Sequence, residues 1–146
     1  MNQTSMPARD MNIGALARQS GVAAKTIRYY EQVGLIPQAS RSAGNYRRYD
    51  HRDVATLRFI HRARQLGFSL EDVGKLLGLW RDHRRSSVTV KRLVLDHVRE
   101  IDRKLAELKT MRDTLSHLAE HCHGDERPDC PILDDLALPN EMRHRH

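Results

Sequence analysis

Ile13-Gly-Ala-Leu-Ala-Arg-Gln-Ser-Gly-Val-Ala-Ala-Lys-Thr-Ile-Arg-Tyr-Tyr-Glu31 is the stretch that decides the fold of this chain. Ile13, Leu16 and Ala17 recur at helical spacing, and Ser20-Gly21 marks where that helix stops. A second helical pattern covers residues 24–32, and Val33-Gly34 closes it with glycine as the stop signal. Two short helices joined by a tight turn at Gly21-Val22 make a helix-turn-helix. Lys25, Arg28 and Tyr29 fall at steps that share one face of the second helix. An arginine there can read guanine edges bidentately, while lysine and tyrosine hydroxyls hold phosphates. Tyr29 and Tyr30 compete for the core, and Tyr30 is expected to serve both core and DNA.

Working outward, Leu35-Ile36-Pro37 leads into a polar stretch and then Tyr46-Arg47-Arg48-Tyr49. Apolar or aromatic ends around Gly44-Asn45 predict a small hairpin, or wing. It would add Arg41, Tyr46, Arg47 and Arg48 to the basic surface. Asp50 is a candidate N-cap for a helix running to about Leu66, with Val54, Leu57, Ile60 and His61 along one face and Arg62 and Arg64 as further cations. Gly67 breaks that helix. Ser69 with Asp72 three residues on is a loose acidic capping box for another, carrying Val73, Leu76, Leu77 and Trp80.

After a polar link over residues 82–85, a long helix begins near Ser87 and meets neither proline nor glycine before Gly124. Val94, Val98, Ile101, Leu105, Leu108 and Leu115 follow alternating steps of four and three, with Arg112 in one slot. Such a rod would span roughly 50 Å. A stripe that long and narrow needs a partner helix, most simply the same helix of a second chain in a homodimer. The competing arrangement folds the rod back along its own domain.

Charge divides the chain. Net charge is +6 overall, yet residues 1–66 hold 11 Lys/Arg against 4 Asp/Glu, while residues 67–146 hold 14 against 15. A basic half beside a neutral half points to a polyanion-binding module joined to something else. No run approaches the roughly 18–20 apolar residues of a membrane span, and the polar first ten residues lack the apolar stretch of a signal peptide. A cytoplasmic location is expected. Thiols stay reduced there, so the two cysteines read as ligands or reactive groups rather than a disulfide.

Those cysteines lie in Cys122-His-Gly-Asp-Glu-Arg-Pro-Asp-Cys130-Pro-Ile-Leu, directly after the long helical pattern. Thiolates suit soft ions such as Cu(I). Two of them, with no obvious third ligand, suit a linear two-coordinate ion, whereas zinc usually takes four ligands. Pro128 and Pro131 stiffen the loop and Gly124 lets it turn. His117, His121 and His123 flank Cys122, and an inward turn of any of them would instead build a divalent site. Asp125, Glu126 and Asp129 read as solvated loop residues.

The runs Ile13 to Val22, Thr26-Ile-Arg-Tyr-Tyr-Glu31, Gly34-Leu-Ile-Pro37, Asn45-Tyr-Arg-Arg-Tyr49, Leu57-Arg-Phe-Ile60 and Leu66-Gly-Phe-Ser-Leu70 resemble the MerR family of bacterial transcription regulators over residues 11 to about 120. The resemblance implies a winged helix-turn-helix dimer joined by an antiparallel coiled coil. By matching positions it implies DNA contacts from Lys25, Arg28, Tyr29, Tyr30, Arg41, Tyr46, Arg47, Tyr49 and Arg64. It also implies a promoter whose elements stand too far apart for RNA polymerase until an effector makes the protein distort the spacer, at a deformation cost of a few kcal/mol. The cysteine loop is similar to that of the copper-efflux (CueR- and HmrR-like) branch. Ser87 matches the position where divalent and mercury sensors tend to carry cysteine. Two thiolates and one Cu⁺ leave a net −1, which the helix start at Ser87 and the Lys91 ammonium could offset.

The expected architecture is mainly α. It comprises a flexible extension (1–10), a winged helix-turn-helix DNA-binding domain (11–81), a dimerisation helix (87–121), a metal loop with a short helix (122–136) and a disordered tail (137–146). The expected function is a non-enzymatic, Cu(I)-responsive activator of copper-efflux promoters. It would hold one ion per Cys122/Cys130 loop, accept Ag(I) or Au(I) as well, and partner promoter DNA, a second copy and RNA polymerase. The alternatives are a divalent (Zn/Cd/Pb) sensor of the same family, a copper buffer that does not bind DNA, and an enzyme with Cys122 as nucleophile. The last lacks any oxyanion-binding element.

Overall fold

Asn12 sets the start of the first helix: its Oδ1 accepts the Ala15 N–H at 2.8 Å, which satisfies one of the donors a helix start leaves open. In this computed structural model, residues 11–41, 47–122, 124, 126 and 128–143 are described. Helix α1 runs Ile13–Ser20 and α2 runs Ala24–Gln32. Gly21 between them adopts φ 79 and returns its N–H to the Ala17 carbonyl, a left-handed cap that a side chain would strain. The Ser20 hydroxyl, buried in the turn, accepts the Val22 N–H at 3.2 Å.

A two-stranded antiparallel hairpin follows, β1 (Ser40–Arg41) and β2 (Arg47–Arg48), in register Ser40 to Arg48 and Arg41 to Arg47. The expected Gly44-Asn45 turn and Tyr46 lie outside the described residues, as does the 1–10 extension. Tyr49, just past β2, exchanges both backbone hydrogen bonds with Met11, at 3.0 and 2.8 Å. The chain just ahead of the α1 cap is thereby laced to the end of the wing.

Helix α3 (His51–Gln65) opens on a reciprocal box. Asp50 accepts from the Arg52 and Asp53 amides, and Asp53 accepts the Asp50 amide at 2.9 Å. The fourth helix, α4 (Leu70–Arg81), has half of that arrangement: Ser69 accepts from the Asp72 amide at 3.1 Å. α1 packs on α2 and α3, and α3 on α4. Their shared core holds Leu16, Ile27, Leu57, Ile60 and Val73, all fully buried, with Val54, Ala63, Phe68 and Leu77 around them. Burial of this order stabilises by about 1.5–3 kcal/mol per large side chain.

The long helix α5 is unbroken from Ser87 to Glu120, 34 residues. Ser86 caps it by accepting the Val88 N–H at 3.1 Å. Val94, Val98, Ile101, Leu105, Leu108 and Leu115 stand 38 to 58% exposed along it. Lys109 donates to Asp113 at 2.8 Å, which holds its ammonium above the usual lysine range. Two short helices end the chain, α6 (Pro131–Leu136) and α7 (Asn140–Arg143). The second lies within the stretch expected to be a tail; one turn of helix is too short to leave a periodic signature.

Two compact units result, Met1–Lys91 and Arg92–His146. The division falls inside α5 rather than in the polar link. The link is itself a hydrogen-bonded turn, with Arg84 and Arg85 amides both returned to Asp82 at 2.9 and 3.2 Å, so it offers no slack segment at which to divide. Among the described residues no helix is long and apolar enough to cross a membrane.

Candidate DNA interface and metal-binding loop

The N-terminal unit places its chemistry on α2. Ile27 faces the core, which turns Lys25, Arg28 and Tyr29 outward, and Tyr29 is 45% exposed. Tyr30, at 7%, is held in the core. Its ring lies 6.1 Å from that of Tyr29, tilted by 50°. Tyr30 therefore packs into the core; Ile27 and Tyr30 share the inward face because they are one helical step apart.

Tyr49, for which the family resemblance implies a DNA contact, is 2% exposed, and its hydroxyl donates to Glu31 Oε1 at 3.2 Å. Its side chain closes the base of the wing. The other oxygen of Glu31 accepts the Ala39 N–H at 2.8 Å. Ala39 precedes β1 and Tyr49 follows β2, so one carboxylate at the end of α2 holds both ends of the hairpin. Sequence reasoning passes over Glu31 as a functional residue. Its signal is its position one turn after the buried Ile27, a charge on the apolar stripe of a helix.

Arg41 and Arg47 face each other across the hairpin register. Tyr46 lies outside the described residues. On α3, Arg64 and Arg62 are exposed. Arg64 also donates from Nη1 to the Phe68 carbonyl at 2.7 Å, bracing the turn into α4. Arg58, which the sequence does not single out, donates from Nε and Nη2 to the Gln19 carbonyl at 3.2 and 3.0 Å. That bidentate clasp ties the end of α1 to α3.

In the C-terminal unit, Cys122 lies two residues past the end of α5 and its N–H returns to the Ala119 carbonyl at 3.1 Å. Cys130 caps α6, with Pro131 as the first helical residue. Both thiols are free and half-buried, and Gly124 between them takes φ 64. His117 lies on the last turn of α5 and His121 just past its end, and both are exposed. Among the described residues no group of three or more His, Cys, Asp or Glu is assembled as a metal site; His123 and Asp125 lie outside them. Ser87 and Lys91 occupy the first turns of α5.

A helix-turn-helix with a wing, followed by a long helix with an open apolar seam, defines a DNA-binding transcription regulator. Two family descriptions match the chain: "MerR HTH family regulatory protein" over residues 11–79 and "MerR, DNA binding" over residues 54–118. The chain belongs to the MerR family, whose members are non-enzymatic DNA-binding regulators. Heavy metal-dependent transcription regulator 2 of Rhizobium meliloti is 55% identical over 87% of this chain and 86% of its own length. The HTH-type transcriptional regulator CueR of Salmonella typhimurium is 45% identical over 87% of the chain and 92% of its own. Among solved structures, a transcription regulator of Ralstonia metallidurans in complex with lead(II) aligns with TM-score 0.77 and 33% identity, covering 87% of this chain and 99% of that one.

Proposed function

We propose that this chain is a Cu(I)-responsive transcription activator that works in the cytoplasm as a homodimer on promoter DNA. The observation that carries the reading is the pair of half-buried free thiols, Cys122 and Cys130, flanking a glycine turn at the end of α5. Soft thiolates select Cu(I), Ag(I) and Au(I) over harder ions, and a donor pair suits two-coordinate binding. Heavy-metal-dependent relatives support a metal effector.

Lys25, Arg28 and Tyr29 on α2 enter the major groove in this reading, and the wing arginines Arg41 and Arg47, with Tyr46, hold flanking phosphates. Arg64 adds a cation from α3 while bracing Phe68. The exposed seam of α5 pairs with the same seam of a second chain, running antiparallel. That pairing brings the partner's helix start, with its Ser87 hydroxyl and Lys91 ammonium, towards the cysteine loop. Helix-start N–H groups and a lysine offset the net negative charge of a dithiolate bound to a monovalent ion. Loop closure then biases the dimer towards the state that distorts the promoter spacer and lets RNA polymerase engage.

A divalent sensor of the same family is the second reading, favoured by the lead(II)-bound structural relative. In vitro transcription from the chain's own promoter, under reducing conditions with Cu(I), Ag(I), Zn(II) or Pb(II), separates the two. Activation by monovalent ions alone is the expected result. Activation by Pb(II) or Zn(II) alone would overturn it.

A further inference from the structure

We propose that His117 and His121 form a second metal site, distinct from the thiol pair: a two-imidazole clip for a divalent first-row cation such as Zn(II), Ni(II) or Cu(II). The two residues are one helical turn apart near the end of α5, both exposed. Their rings already meet, with centroids 4.2 Å apart and planes tilted by 48°. The spacing i, i+4 stacks side chains over one another on a helix, as a bidentate clip needs.

The hydrogen bonding supplies the second argument. His121 Nδ1 lies 2.8 Å from the His117 carbonyl oxygen. A carbonyl only accepts, so Nδ1 is the donor in this bond, which leaves Nε2 as the ring nitrogen available to a metal. Metal-ligating histidines are oriented by this kind of bond, from the other ring nitrogen to a carbonyl. The end of α5 also carries the partial negative charge of a helix C-terminus, which favours a bound cation.

Imidazole is a borderline donor that suits Zn(II), Ni(II) and Cu(II), whereas Cu(I) is drawn to thiolate. Among the described residues Cys122 is not gathered with the two rings into a group of three ligands, so the clip and the thiols stand as separate donor sets. No third ligand joins the rings among the described residues; water completes the shell, and the ion exchanges readily. Bound there, it pins the last turns of α5 just before Cys122, where the loop leaves the helix.

The test uses the full-length Cys122→Ser/Cys130→Ser variant, so that no thiol competes and the outcome is independent of the copper reading. Calorimetric titration with Zn(II) is expected to show one saturable ion per chain. Cu(II) electron paramagnetic resonance is expected to show imidazole nitrogen coupling. Both signals should vanish in His117→Asn and in His121→Asn, with helix content unchanged by circular dichroism. Absence of saturable binding overturns the proposal, as does binding that survives both substitutions, since that would put the ion on other histidines. If either variant loses helix content, the histidines of the folded protein are instead blocked with diethyl pyrocarbonate, with and without Zn(II). Zinc must then protect His117 and His121, and modification of both at an unchanged rate overturns the proposal equally.

Discussion

The Tyr49 hydroxyl donates to Glu31 Oε1 at 3.2 Å, and both side chains are buried. This bond joins the end of the recognition helix to the end of the wing, while the second Glu31 oxygen holds the Ala39 amide at the wing's beginning. If helix and hairpin contact DNA together, as proposed, their spacing must be held, and this carboxylate helps to hold it. Tyr49→Phe removes one hydrogen bond to a charged acceptor and should lower unfolding stability by about 1.5–3 kcal/mol, read from denaturant midpoints. Glu31→Leu strips both wing ends of their acceptor and should cost more. In both variants operator affinity should fall further than the stability loss explains. Unchanged operator affinity in a folded Glu31→Leu protein would show that the wing is positioned by other contacts.

The α5 seam is open over six apolar positions and interrupted by Arg112. Leu105→Glu places a charge in the middle of a paired stripe, and Val98 and Ile101 cannot compensate. Sedimentation should show the dimer dissociating, and operator affinity should drop because two half-sites are no longer linked. Arg112→Leu should act in the opposite sense and raise dimer stability, since a polar seam residue specifies register at a cost in stability. A Leu105→Glu protein that remains dimeric would refute pairing through this stripe.

Helix boundaries are legible where chain chemistry is local. Asp50 and Ser69 cap their helices in the structure, and Gly21 turns the chain where the sequence places the turn. The seam of α5 is periodic over many residues and so announces itself. What the sequence hides is the direction in which an aromatic points. Tyr29 and Tyr30 are neighbours with opposite fates, and only the burial of Ile27 settles which one faces in. Tyr49 sits among arginines and looks exposed, yet its partner Glu31 is 18 residues away in sequence. Arg58 is similar: its acceptor, the Gln19 carbonyl, is 39 residues distant. Long-range polar pairs leave no local pattern, whereas caps and periodicities do.

On α2, Arg28 and Lys25 separate two kinds of contact. If Arg28 reads a guanine edge, Arg28→Ala should cost about 1–3 kcal/mol and relax specificity at one base position. Lys25→Ala, losing a phosphate contact, should weaken all sequences alike and reduce the salt dependence of binding by about one ion. Competition binding at two salt concentrations checks both. Equal loss on specific and random DNA for Arg28→Ala would move that residue to the phosphate backbone.

Ion choice should follow the charge that the loop and the facing helix start can balance. Cys122→Ser or Cys130→Ser leaves a single thiolate, too weak a donor set for Cu(I), and should abolish metal-dependent transcription while operator binding persists. Full induction in either variant would remove the thiol pair from the mechanism. Ser87→Cys is the more discriminating change. A third thiolate brought by the partner helix balances a divalent ion to the same net −1 that two thiolates reach with a monovalent one, and it supplies the third protein ligand that zinc usually takes. That variant should gain response to Zn(II), Cd(II) or Pb(II) in the transcription assay. An unchanged ion preference, with the new thiol shown by alkylation to be accessible, would mean that the start of α5 does not face the cysteine loop of the partner chain.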